Sequence, residues 1–133
     1  MARGPAMNVL LDTCALLALA RGELPEGAAT ALRSAPEASV SVVSAWEVAI
    51  KAAGGKLQLR QSPVQWFLGL VERYDLRELP LDARVACAAA SLPHVHRDPF
   101  DRVIVALAQA RALMVLTSDK QISKYVGVKT LWR

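Results

Sequence analysis

Apolar residues fall along this chain in two alternating rhythms. Short aliphatic and β-branched runs occupy residues 9–12, 39–43, 76–79, 113–117 and 128–132, each with the length and composition of a buried strand. Between them, apolar positions recur at helical spacing over 16–20, 28–33, 44–53, 62–74, 82–92 and 99–110. Trp66, Leu70 and Tyr74 mark one such face, and Val103, Ile104, Leu107 and Ala108 another. The turn-prone RGELPEG separates the first two helices, and Gly54-Gly55 stops the third in the manner of a glycine cap. Strands alternating with helices predict one α/β domain, with a mainly parallel central sheet flanked by helices. In such sheets ligands bind beyond the carboxyl ends of the strands.

Four acids stand at the predicted junctions: Asp12 in VLLDT, Glu47 in SAWEVAIK, Asp101 in DPFDRVIVALA and Asp119 in VLTSD. Each has a local explanation. Ser44 and Glu47 fit a capping box. Asp98, Pro99 and Asp101 fit an N-cap, a first-turn proline and an acid favoured by the helix dipole. Asp12 and Asp119 are each placed to cap the helix that follows. Capping needs only a short polar residue, however, and serine, threonine or asparagine would serve. Carboxylates at all four junctions of an otherwise basic chain point to a compensating hard cation, Mg²⁺ or Mn²⁺. Capping and metal ligation are compatible roles, because a helix N-terminus keeps a carboxylate ionised.

Composition narrows the class without changing this picture. A chain of 133 residues, 53% hydrophobic and 21% charged, fits one globular domain with a working core. Residues 1–7 are expected to be an N-terminal extension or a cloning remnant, and residues 8–133 the domain. No apolar run approaches the roughly 18 residues of a membrane span, and no secretory signal precedes Asp12. The expectation is a soluble, cytoplasmic protein. Cys14 and Cys87 lie in alanine-rich stretches and read as small buried hydrophobes rather than a disulfide or a soft metal site. The net charge of +4 suits an anionic partner such as nucleic acid or an acidic protein tail.

Rival chemistries find less support. HVHRD, with His94, His96 and Asp98, resembles the opening of a binuclear zinc signature, but position 99 is proline and the chain has only these two histidines. There is no G-x-S-x-G elbow and no Gly-rich phosphate loop.

The segments LLDTCALL, SAWEVAIKAAGGKL, HRDPFDRVIVALA and VLTSDKQI resemble, in order and spacing, the PIN-domain ribonucleases, and most of all the VapC-type toxins of toxin–antitoxin pairs. The resemblance runs from about Asn8 to Arg133. It implies a PIN-like parallel sheet and a metal-dependent endoribonuclease leaving 5′-phosphate and 3′-hydroxyl ends. Asp12, Glu47, Asp101 and Asp119 would then be the catalytic and metal-binding acids, with Asp98 an outer or second-metal ligand or simply the N-cap. Thr13, Thr117 and Ser118 are placed to orient carboxylates or water. Lys51, Arg97, Arg102, Lys120 and Lys124 are candidates for RNA phosphate contacts, although Lys51 is equally placed for an i,i+4 pair with Glu47. Trp46, Trp66 and Trp132 read as core or interface packing rather than base platforms. The resemblance further implies a cognate antitoxin and a homodimer, for which the early helices at 16–20 and 28–32 offer apolar contact surfaces. The alternatives are a non-catalytic nucleic-acid or protein binding module on the same fold, and a PIN nuclease of RNA processing.

Overall fold

The computed structural model describes residues 6–133, so the extension expected over residues 1–7 lies mostly outside the described residues. Five strands, β1 (Val9–Leu11), β2 (Ala38–Ser41), β3 (Arg77–Leu79), β4 (Met114–Leu116) and β5 (Lys129–Leu131), form a single sheet. Its order is β3-β2-β1-β4-β5, and every pairing is parallel. Six helices connect them: α1 (Thr13–Arg21), α2 (Glu26–Ser34), α3 (Val42–Ala53), α4 (Pro63–Arg73), α5 (Ala83–Ser91) and α6 (Pro99–Arg111). A short 3₁₀ turn, Ile122–Lys124, links β4 to β5.

The alternation along each strand sorts side chains into two cores. Leu10 and Val115 face Val103, Ile104 and Leu107 of α6. Val9, Leu11, Val40 and Leu116 face Leu16, Phe67 and Leu70 of α1 and α4. With Val9, Leu10 and Leu11 all fully buried, β1 is the central strand and reads as an unbroken apolar run. The chain winds outward from β1 to β3, then returns across to β4. Strand order therefore reverses between β1 and β4, and their carboxyl ends open a crevice there.

Several local readings change. Helix α3 begins at Val42, directly after β2, with Ser41 as N-cap and its hydroxyl accepting from the Val43 amide. Ser44 is thus a helical residue, and the expected capping box with Glu47 does not form. Cys14 and Cys87 are exposed, not buried. α1 turns Thr13, Ala15 and Leu16 inward, which leaves Cys14 outside, and α5 buries only Ala89. Trp66 and Trp132 pack on the second core, whereas Trp46 is 55% exposed and meets Phe100 edge to face at 5.1 Å. Leu16, Leu19 and Ala28 of the early helices are spent on the chain's own core and offer little to a second copy. No helix among the described residues is long and apolar enough to cross a membrane.

Arg102 departs furthest from expectation. It is buried, and its guanidinium donates to the carbonyls of Ala89, Ala90, Leu92, Pro93 and His96 at 2.7–3.3 Å. It cannot contact RNA phosphate in this position. It instead ties the end of α5 and the following loop to α6, satisfying carbonyls that a helix terminus leaves unpaired. Arg102→Met should therefore cost about 3 kcal/mol or more in urea unfolding, because it orphans several acceptors at once. Arg102→Lys should recover only part of the loss, since an ammonium cannot reproduce the fork. A loss below about 1 kcal/mol for Arg102→Met would contradict this role.

Candidate metal centre

Three of the four acids stand at element junctions as expected, Asp12, Asp101 and Asp119, whereas Glu47 lies in the second turn of α3 because that helix begins at Val42. Asp12 follows β1 directly and caps α1, its Oδ1 accepting from the Ala15 amide at 2.8 Å. The Asp12 backbone amide pairs with the carbonyl of Leu116 at 3.3 Å, which ties it to the end of β4. Asp119 lies beyond that end, its amide bonded to the Thr117 hydroxyl at 2.9 Å and its Oδ1 accepting from the Gln121 amide at 2.8 Å. It thus shapes the turn after β4 rather than capping a full helix. Asp101 comes from the first turn of α6, which Asp98 caps through the Phe100 amide at 2.9 Å. Glu47, buried on α3, pairs with Lys51 at 2.8 Å, the i,i+4 alternative.

The supporting hydroxyls divide. Thr13 donates to Ser44 Oγ at 2.9 Å, bracing α1 against α3 beneath the acids. Thr117 holds Asp119 and also hydrogen-bonds Asp12. Ser118 is exposed and lies 3.4 Å from Cys14 Sγ. Arg97, Lys120 and Lys124 are exposed, while Lys51 is committed to Glu47.

One member of the cluster escaped the sequence reading. His96 places Nε2 2.6 Å from Asp119 Oδ2 and 3.1 Å from Asp101 Oδ2. Among the described residues, these three form the group whose ligand atoms all lie within 4.8 Å of one another. The zinc comparison drew attention to His94 and His96 together, yet only His96 reaches the acids. The usable signal was its place two residues before the α6 N-cap, on the loop that leads into Asp101.

Crowding shows in the protonation of these groups. Burial raises the Asp12 carboxyl to about 6, assisted by the charges of Asp119 and Glu47 and opposed by hydrogen bonds from Thr117 and Ala15. Burial raises Asp101 to about 7, with Asp98, Asp12 and Glu47 adding to the shift and His96 opposing it. For His96, burial alone lowers the pKa, but Asp119, Asp101 and Asp98 outweigh it and the net shift is upward. These couplings put all four predicted acids in one electrostatic neighbourhood.

The donor set suits a hard divalent cation. Asp101 and Asp119 offer carboxylate oxygens beside the His96 nitrogen, and Glu47 Oε1 is buried without any hydrogen-bond partner. An orphaned carboxylate oxygen beside other carboxylates is what a cation would satisfy. A cavity of about 730 Å³ lies elsewhere, at the opposite end of the sheet between α2 and the start of β3. A smaller apolar groove of about 400 Å³, walled by Val43, Trp46, Leu81, Ala90 and Phe100, runs between α3, α5 and the start of α6.

Known proteins with the same architecture are distant in sequence. A toxin–antitoxin complex from Klebsiella pneumoniae contains a chain 22% identical, with a TM-score of 0.63 over 90% of this chain and 94% of that one. VapBC2 from Rickettsia felis, bound to a DNA fragment from its promoter, superposes with a TM-score of 0.71 at 13% identity, covering 96% of this chain and 100% of that one. FitAcB from Neisseria gonorrhoeae gives 0.63 at 19% identity, covering 92% and 96% respectively. At these identities the likeness is one of fold. No curated protein matches the chain in sequence. The profile of the PIN domain family, however, matches residues 9–128, and the chain belongs to that family.

Proposed function

We propose that this protein is a Mg²⁺- or Mn²⁺-dependent endoribonuclease and the toxin of a toxin–antitoxin pair. The reading is supported by Asp101 and Asp119 drawn together at His96, by the charges of Asp12 and Glu47 acting on the same carboxyls, and by a buried Glu47 oxygen left unpaired. A divalent cation held by these carboxylates would supply the Lewis acid that makes water nucleophilic at neutral pH and offsets phosphodiester charge. The protein's own part is to hold the acids still. The Ala15 amide and Thr117 hydroxyl fix Asp12, the Gln121 amide fixes Asp119, and Lys51 balances Glu47. Arg97, Lys120 and Lys124 remain free at the surface for RNA phosphates.

The toxin assignment is supported by membership of the PIN family and by fold neighbours that are toxin–antitoxin assemblies. In the cytoplasmic setting this implies, the apolar groove between α3, α5 and α6 suits a short antitoxin segment, with Trp46 and Phe100 as its aromatic wall. A homodimer belongs to the same proposal. The binding-module alternative would be favoured by a missing acid, and none is missing.

Cleavage of a mixed pool of single-stranded and structured RNA tests the activity. Wild type should cut with Mg²⁺ or Mn²⁺ and stop with EDTA. Asp101→Asn should lose at least about a hundredfold, the lower end of what one such group contributes. Metal-independent cutting, or a variant as active as wild type, would refute the assignment.

The same cluster predicts how stability responds to pH. Asp12 and Asp101 are raised in the fold to about 6 and about 7 from 3.8, so the folded protein keeps protons that the unfolded chain has lost. Their contribution therefore weakens as pH rises from about 4 through 7. The urea midpoint of the metal-free protein should fall from pH 5 to pH 8, and millimolar Mg²⁺ should restore it at pH 8. A midpoint that rises across this window without metal would contradict the crowded, cation-requiring site.

A further inference from the structure

Three ligand-type atoms within 4.8 Å of one another suggest at first a mixed site with His96 as a nitrogen ligand. The bonds around His96 argue otherwise. Its Nδ1 accepts a hydrogen bond from the Asp98 backbone amide at 3.2 Å. A nitrogen that accepts must present its lone pair, so the proton of the neutral ring lies on Nε2. That N–H faces Asp119 Oδ2 at 2.6 Å and Asp101 Oδ2 at 3.1 Å.

The ring has no freedom to present the other tautomer. The His96 backbone amide donates to Tyr125 Oη at 2.8 Å, and its carbonyl accepts from the Arg102 guanidinium at 3.2 Å. The Asp98 amide that reads Nδ1 is itself fixed, because Asp98 caps α6. Moving the ring proton to Nδ1 would set two N–H donors against each other at hydrogen-bond distance. Coordination through Nε2 would require that move, or the loss of both ring protons.

We propose that His96 is a positioning residue locked as the Nε2–H tautomer, which donates to Asp119 and Asp101 and stays outside the cation's ligand set, leaving that set all oxygen. This rests on the reading of the acids as a metal centre. The unit H-R-D-P-F-D-R then works as one device. Asp98 sets the tautomer, Arg102 holds the loop, and His96 gathers two acids that reach the crevice from α6 and from the turn after β4. An imidazole N–H in this place orients carboxylates without competing for the ion. It also keeps the site hard, which favours Mg²⁺ and Mn²⁺ over metals that seek nitrogen.

Three measurements on the full chain test the proposal. Long-range ¹H–¹⁵N correlation of the metal-free protein at pH 8, with His94 as internal comparison, should show Nε2 protonated and Nδ1 bare; the reverse pattern overturns it. Spin-echo modulation of the Mn²⁺-loaded protein should lack the signature of a directly bound ¹⁴N; its presence overturns this proposal while leaving the metal centre intact. Finally, Mn²⁺ affinity should fall about tenfold in His96→Ala and be largely rescued in His96→Gln, whose amide can replace the lost N–H. Both variants keep the backbone bonds to Tyr125 and Arg102. Equal losses in the two variants would overturn the positioning role. A folded wild type that binds no Mn²⁺ would refute the metal-centre reading, and this inference with it.

Discussion

Burial and mutual repulsion of carboxylates at the open end of the β1–β4 crevice set the demands that the neighbouring hydrogen bonds meet. Burial and mutual charge keep Asp12 and Asp101 from ionising in the usual range. The surrounding structure is arranged to tolerate them. Two backbone amides, a threonine hydroxyl, a lysine and a histidine each take part of the load. None of them satisfies Glu47 Oε1. An unpaired buried carboxylate oxygen near other acids fits the divalent cation proposed above.

The doubly wound sheet explains why the acids meet. β1 and β4 are neighbours in space but lie at opposite ends of the chain, so their carboxyl ends bring Asp12 beside Asp119. α3 and α6 then carry Glu47 and Asp101 to the same edge. Arg102 serves this arrangement from within the fold, since the loop it holds is the one that delivers His96.

Much of this was legible in the sequence. Buried strands announce themselves by short β-branched runs, and all five expected strands and six expected helices are present with boundaries shifted by a few residues. The places of Asp12, Asp101 and Asp119 at element ends were legible from the strand and helix runs that flank them, whereas Glu47 proved to lie inside α3. What could not be read depends on contacts distant in sequence. Ser41 and Ser44 are both acceptable N-caps, and only the direct passage from β2 into α3 decides between them. The basic residue Arg102 looked like surface charge, although its neighbours from Val103 to Ala108 are all buried and place it at the inner edge of α6. His96 looked like half of an incomplete zinc motif because its partner Asp119 lies 23 residues away. The cysteines misled because alanine-rich surroundings were taken for a core, and α5 lies largely at the surface.

As proposed, the carboxylates form a cation site held partly protonated by crowding. Calorimetric titration of Mn²⁺ near pH 6.5, repeated in buffers of different ionisation enthalpy, tests it most directly. Saturable binding accompanied by proton release, largely abolished in Asp12→Asn, is expected. Absence of saturable binding by the folded wild type, or binding without proton release, would contradict it.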